Sequence, residues 1–88
     1  MAYEVEITPE GLRHLNRLPR KVRDAVVETI FGSISDNPRR AGKALRGELE
    51  GLYSARRGEF RVIYEIDEES HVVLIHRAQH RGRVYRPR

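Results

Sequence analysis

The chain is 88 residues long, carries a formal net charge of +4 and contains no cysteine. This length predicts a single domain (1–88), and the lack of cysteine excludes disulfides and thiolate metal sites. No apolar run approaches the roughly 20 residues of a membrane-spanning helix, and no signal-peptide stretch begins the sequence, so we expect a cytoplasmic protein without membrane contact.

The first part of the sequence predicts one strand and two helices. Residues 3–7 alternate apolar and charged side chains, as a strand with one buried face does. Thr8 followed by Pro9 is typical of a helix N-terminus, and leucines at helical spacing extend this first helix to about position 18. Pro19 begins a second helix over about 20–35, in which an aliphatic residue recurs at every fourth position. The two helices form an antiparallel hairpin.

The remaining sequence predicts a loop and a sheet. Residues 38–51 contain three glycines and one proline, so we expect a loop with one helical turn near Leu45 and Leu49. Three strands follow the loop, at about 52–57, 60–66 and 71–77. Val84 and Tyr85 could add a short edge strand. The predicted class is α+β, with the N-terminal strand and the helical hairpin packed on a mostly antiparallel, twisted sheet of four to five strands.

The turn between the first two of these strands fixes a register. Glycine at the first central position of Gly58-Glu59 suits a two-residue type II′ turn. This turn places Arg56 directly opposite Arg61, on the face that does not carry the apolar side chains. Like charges in that position destabilise a sheet, so we expect an anion to bind there.

The charge distribution also favours a polyanionic partner. Residues 1–36 hold five Lys/Arg and six Asp/Glu, whereas residues 37–88 hold twelve and seven, and residues 76–88 hold five arginines and no acid. Tyr85, which lies among arginines, could stack on an unpaired base. His80 is the candidate histidine for proton transfer. His14 is expected at the surface and the other two histidines in structural positions. No zinc spacing is present, so neither a metal nor another cofactor is expected.

Four segments of the sequence stand out together: LRG (45–47), GLYSARRGEFRVIY (51–64), HR (80–81) and VYR (84–86). In this order they resemble the RelE/ParE toxin superfamily, and most closely its RelE-like branch. The resemblance covers nearly the whole chain. It implies a RelE-like fold and a ribosome-dependent mRNA endonuclease, which cuts in the decoding site when a ribose 2′-hydroxyl attacks the neighbouring phosphate, without a metal. It also implies a cognate antitoxin, the ribosome and mRNA as partners, and operator DNA only through the antitoxin complex.

The resemblance also implies roles for individual residues. Arg61 would hold the phosphate, Arg81 would assist the leaving oxygen, and Tyr85 would stack on the base. Arg56 falls where RelE has a lysine, and His80 or an ionised Tyr85 could act as the general base. The candidate catalytic residues are Arg56, Arg61, His80, Arg81 and Tyr85. The candidate RNA-binding residues are Arg39, Arg40, Lys43, Arg46, Ser54, Arg77 and Arg83.

Two positions depart from the pattern and keep other functions open. Ser54 falls where RelE has another active-site lysine, and Ala44 falls where a related branch has a glutamate. One alternative is a ParE-like toxin that inhibits gyrase and is not an enzyme. The other is a catalytically weak toxin that binds the ribosome without cutting mRNA.

Overall fold

The computed structural model of the chain describes residues 2–80, so the predictions on Arg81, Arg83, Val84 and Tyr85 lie outside the described residues. The described part contains three helices and five strands, which confirms the α+β class. No helix within 2–80 combines the length and the apolar character needed to cross a membrane. The elements are β1 (Glu4–Ile7), α1 (Pro9–Arg17), α2 (Arg20–Thr29), a π-helical turn (Ile30–Ile34), α3 (Pro38–Ala41), β2 (Lys43–Ala44), a 3₁₀ turn (Gly47–Leu49), β3 (Leu52–Arg57), β4 (Phe60–Asp67) and β5 (Val72–His80).

The five strands form one sheet in the order β1-β5-β4-β3-β2. All neighbouring strands are antiparallel except β1 and β5, which run parallel with Val5 beside Val73. The predicted four to five strands are therefore confirmed, and the fifth strand is Lys43–Ala44. One face of the sheet packs against the helices. The buried core on this face consists of Leu15, Val26, Ile30, Ile34, Ala55, Val62, Tyr64, Val73, Ile75 and Ala78.

The first helix begins as predicted. The Thr8 hydroxyl accepts a hydrogen bond from the Gly11 amide at 3.0 Å, which is the contact that an N-cap threonine makes. The prediction for His14 was wrong, because its side chain is only 10% exposed. Its Nδ1 atom accepts a hydrogen bond at 3.2 Å from the Ala78 amide in β5. β1 pairs with β5 only as far as Ile75, so the Ala78 amide has no partner in β1. His14 supplies the acceptor for this backbone donor.

The second helix changes its geometry at Ile30. The α-helix ends at Thr29, and a π-helical turn continues the helical path over Ile30–Ile34. Because a side chain every four residues advances by about 40° more than one full turn in an α-helix, the predicted stripe would drift around the axis. The wider π turn offsets this drift, and both Ile30 and Ile34 are fully buried.

The loop predicted over 38–51 was wrong in part. The segment contains the short helix α3, the two-residue strand β2 and a 3₁₀ turn at Gly47–Leu49, close to the predicted helical turn. Lys43 pairs with Ser54 across the edge of the sheet. The residues of β3 that pair with β2 lie outside residues 38–51. The composition of 38–51 therefore did not reveal β2.

The predicted hairpin register is confirmed. Arg57 pairs with Phe60 and Arg56 pairs with Arg61. Gly58 has a φ of 59°, as the first central residue of a type II′ turn requires, and Glu59 is not left-handed. The two strands therefore present alternate side chains to the core and to the outer face of the sheet, with Arg56 and Arg61 on the outer face.

Candidate functional site

A basic pocket of about 280 Å³ lies where α3 and β2 meet the outer face of β3 and β4. Of the described residues that line it, four are cationic and none is acidic. Cations gathered around one space attract an anion. We refer to it below as the basic pocket. It is lined by Arg40, Ala41, Gly42, Lys43, Ser54, Arg56 and Arg61.

Two strands supply the floor of the basic pocket. Arg56 and Arg61 are directly opposed on β3 and β4, so their side chains project to the same side of the sheet. The Arg61 Nη1 atom donates to the Ser54 hydroxyl at 3.5 Å, and Ser54 itself is only 8% exposed. Ser54, which replaces the lysine expected from the family pattern, thus contacts the guanidinium that we predicted to hold the phosphate.

The α3–β2 segment supplies the wall of the basic pocket. Lys43 pairs with Ser54 and therefore shares the outer face with it. Arg40 lies in the last turn of α3, and both cations are exposed. Four cations from four elements, α3, β2, β3 and β4, thus line one pocket. Cationic side chains gathered in this way suit a phosphate group.

Other predicted RNA-binding residues lie elsewhere. The Arg39 Nε atom donates to the Glu68 carboxylate at 2.7 Å, and its Nη1 atom to the Tyr53 hydroxyl at 3.3 Å. Hydrogen bonds from the Tyr3 hydroxyl and from Arg39 hold the pKa of Glu68 below its usual value, so the partner of Arg39 stays ionised. Arg39 is therefore held in a network outside the basic pocket.

Arg46 and Arg77 also lie outside the lining of the basic pocket. Arg46 borders a separate surface depression next to Leu45 and Tyr53. The Arg77 Nε atom lies 3.6 Å from the carboxylate of Glu10 on α1. The structure thus brings together Arg40, Lys43, Ser54, Arg56 and Arg61 and leaves Arg39, Arg46 and Arg77 apart.

His80 lies on the other face of the sheet from Arg61. It is directly opposed to Phe60, and its ring meets the Phe60 ring edge-on, with centroids 5.5 Å apart and an interplanar angle of 79°. It borders a cavity of about 500 Å³ beside α1, together with His14 and Leu18. The structure therefore does not bring His80 to the basic pocket.

Sequence reasoning missed two contributors to the basic pocket. Gly42 lies so close to the Ser54 carbonyl and the Tyr64 hydroxyl that a Cβ atom would overlap both. The Tyr64 side chain is fully buried in the core, and its hydroxyl donates to the Pro38 carbonyl at 2.6 Å. No local sequence signal marks either contact, because each joins residues more than ten positions apart.

The comparisons with known proteins agree on one family. Residues 5–85 match the family described as "ParE toxin of type II toxin-antitoxin system, parDE". Two curated proteins of Mycobacterium tuberculosis are similar over nearly the whole chain. Toxin RelE is 50% identical over 84 residues, which are 96% of this chain and 87% of that protein. Toxin RelG is 48% identical over 86 residues, which are 98% and 99% of the two chains.

The fold agrees with a solved relative as well. The structure superimposes with a TM-score of 0.88 on a chain of the toxin–antitoxin complex RelBE2 from Mycobacterium tuberculosis. That chain is 47% identical, and the alignment covers 92% of this chain and all of the other. The family match and these identities lead to one conclusion. The chain belongs to the RelE/ParE superfamily of toxins from type II toxin–antitoxin systems.

Proposed function

We propose that the protein is a ribosome-dependent mRNA endonuclease that acts in the cytoplasm and inhibits translation. The observation that carries this proposal is the basic pocket, whose described lining contains four cations and in which Arg56 and Arg61 lie side by side. Two opposed arginines cost folding stability, and a bound phosphate would offset that cost. The RelE and RelG names of the curated relatives also support it.

The chemistry that we propose is transfer of the phosphate to the ribose 2′-hydroxyl. The 2′-oxygen forms a bond to phosphorus, the bond to the 5′-oxygen breaks, and a 2′,3′-cyclic phosphate remains. Negative charge grows on the phosphate oxygens in the transition state, and the guanidinium of Arg61 would stabilise it. Ser54, through its contact with Arg61, would orient that guanidinium.

Arg81 and Tyr85, which lie outside the described residues, complete the proposed set. Arg81 would donate to the departing 5′-oxygen, and Tyr85 would stack on the nucleobase next to the cut.

The described lining of the basic pocket contains no histidine and no carboxylate that could act as the general base. We therefore propose that the proton of the 2′-hydroxyl leaves to a group outside this lining, such as Tyr85 or the ribosome.

We further propose that a cognate antitoxin neutralises the protein. The solved relative at 47% identity is a toxin–antitoxin complex, which supports this partner. Operator DNA would be contacted only through the antitoxin complex.

The test is to induce the wild type, Arg61→Ala and Arg57→Ala in cells and to map transcript 5′ ends. Arg57 is the matched control, because it lies on the same hairpin but on the other face of the sheet. Its Nη2 atom lies 3.5 Å from the carboxylate of Glu28, away from the basic pocket. We expect cuts within translated codons for the wild type and Arg57→Ala, and none for Arg61→Ala. Arg81→Ala should also abolish the cuts. Circular dichroism on the purified variants checks that each is folded.

The family match to ParE toxins supports a second candidate, inhibition of gyrase without any enzymatic activity. Growth arrest with intact transcripts would contradict the nuclease. A supercoiling assay with purified gyrase then separates the remaining functions. Inhibition would support the ParE-like function, and ribosome binding without inhibition would support a toxin that blocks translation by binding alone.

A further inference from the structure

The most buried polar contact near the basic pocket joins Tyr64 to Pro38. The Tyr64 side chain is fully buried, and its hydroxyl donates to the Pro38 carbonyl at 2.6 Å. Burial raises the pKa of this hydroxyl to about 12, so it stays protonated and remains a donor at neutral pH. The Tyr64 ring also stacks on Tyr53, with centroids 5.8 Å apart, so the hydroxyl is held in place by packing as well.

This hydrogen bond is made where α3 ends. In a longer α-helix, the Pro38 carbonyl would accept from the amide of residue 42. Gly42 is instead extended, with a φ of −135° and a ψ of −175°, and the Tyr64 hydroxyl takes the carbonyl. The chain therefore leaves the helix at Gly42 and enters β2, where Lys43 pairs with Ser54.

The same bond is made by the first residue of α3, close in sequence to the two cations that the α3–β2 segment contributes. Arg40 lies two residues after Pro38, and Lys43 is the first residue after the bend at Gly42. A four-residue helix and a two-residue strand are too short to be stable by themselves. Their position next to Arg56 and Arg61 thus depends on contacts with the rest of the fold. These include the packing of the buried Pro38 side chain and the hydrogen bond from the Tyr64 hydroxyl.

We propose that Tyr64 is a positioning residue of the basic pocket, which holds the α3–β2 segment so that Arg40 and Lys43 face the phosphate-binding arginines. The inference rests on the proposed function, because it assumes that the basic pocket binds RNA phosphates. Tyr64 contacts no RNA. Its hydroxyl holds the Pro38 carbonyl at the start of α3. The same hydroxyl lies close to Gly42, where the chain turns into β2.

The test is Tyr64→Phe, which keeps the buried ring and removes only the hydroxyl. The matched control is Tyr53→Phe on the neighbouring strand, whose hydroxyl contacts Arg39 outside the basic pocket. Binding of a fluorescent 2′-O-methyl RNA oligonucleotide, which cannot be cleaved, is measured by anisotropy over a salt series. The temperature is chosen so that thermal unfolding curves show every variant folded.

We expect Tyr64→Phe to weaken binding about five- to tenfold and to lower the slope of log K against log salt by about 0.7 to 1.4, the share of one or two phosphate contacts on a single strand. Tyr53→Phe should change neither value. In a chain that already carries Arg40→Ala and Lys43→Ala, Tyr64→Phe should have no further effect on binding, because the two cations that it positions are gone.

Several results would overturn the proposal. A lower melting temperature with unchanged affinity and salt slope would make Tyr64 a purely structural residue. Equal losses for Tyr53→Phe would exclude a specific role of the Tyr64 hydroxyl. If Arg61→Ala also leaves affinity and slope unchanged, the proposed function itself fails, because the basic pocket does not bind RNA.

A second variant applies if Tyr64→Phe does not fold. In Gly42→Ala, the added Cβ would overlap the Tyr64 hydroxyl and the Ser54 carbonyl, so it displaces the same segment from the other side. The same loss of affinity and salt slope is expected. A folded Gly42→Ala protein with the wild-type slope would overturn the proposal.

Discussion

Arg56 and Arg61 lie directly opposite each other on two adjacent antiparallel strands and border the same pocket. Opposed residues of this kind have their Cβ atoms about 5 Å apart, so two guanidinium groups in this position repel each other. A sequence optimised for stability alone would place a glutamate at one of the two positions. We therefore propose that this part of the sheet binds an anion, which would offset the repulsion.

Arg56→Glu is expected to make the protein more stable and less functional. Replacing the repulsive pair by an attractive one should raise the free energy of unfolding by about 1 kcal/mol. Affinity for the 2′-O-methyl RNA should fall at least tenfold. Urea denaturation and anisotropy titrations measure the two effects.

Arg57→Glu is the matched control for this charge reversal. It changes the net charge equally but places the new carboxylate next to Glu28 on the helix face. It should lower stability and leave RNA affinity nearly unchanged. Equal losses of affinity in the two variants would mean that net charge, rather than the basic pocket, governs binding.

The adjacent residues Arg39 and Arg40 are expected to behave differently. Arg40 borders the basic pocket, whereas Arg39 is engaged by Glu68 and Tyr53. Arg40→Ala should weaken RNA binding and lower the salt slope by about 0.7, the share of one phosphate contact. Arg39→Ala should leave both values unchanged and lower the melting temperature slightly. A larger binding defect for Arg39→Ala would contradict the placement of the site.

His71 combines a strained backbone with a stacked ring. Its φ is 61°, in the left-handed region that favours glycine, and its ring stacks on Tyr3 with centroids 3.7 Å apart. His71→Ala loses the stacking and keeps the strain, whereas His71→Gly loses both. We therefore expect His71→Gly to be more stable than His71→Ala by about 1 kcal/mol, as measured by urea denaturation. Equal stabilities would show that the left-handed backbone carries no cost here.

Stability is expected to fall as the pH is lowered, because of His14. Burial lowers the pKa of His14 below its unfolded value of 6.5, although Glu10 opposes this effect. The unfolded chain therefore binds a proton more readily than the folded one. The contribution is fully present above pH 6.5 and is lost as the pH falls from there through the lower folded pKa. Protonation of Nδ1 also removes the acceptor for the Ala78 amide.

The measurement is the free energy of unfolding between about pH 7.5 and about pH 5, a range that spans the ordinary histidine pKa, compared with that of His14→Asn. Asparagine places an amide oxygen near the position of Nδ1 and does not titrate. The variant should be less stable than the wild type at high pH, because it lacks the packing of the ring, and its stability should depend less on pH. Parallel pH profiles of the two proteins would refute the assignment to His14.

The sequence was a reliable guide wherever the determining interactions are local. The hairpin register follows from Gly58 at the turn and from the alternation along β3 and β4, both of which can be read within a few residues. The N-cap at Thr8 is equally local. The opposed arginines of the site could therefore be predicted from the amino-acid sequence alone.

The features that were missed depend on contacts between distant positions. Arg39 is held by a carboxylate 29 residues away, and His14 by an amide 64 residues away. The path of the α3–β2 segment depends on the Tyr64 hydroxyl, 26 residues after Pro38. Because each of these contacts requires the assembled sheet, no local pattern predicted them.

The parallel pairing of β1 with β5 has a consequence for how the protein is made. The partner of Val5 is Val73, so the first strand cannot pair until β5 has left the ribosome. Contacts of such long sequence separation slow folding, because the loop between them must close first. The sheet that carries Arg56 and Arg61 is therefore completed only after β5 has emerged from the ribosome. Until then, a nascent toxin remains without its finished sheet.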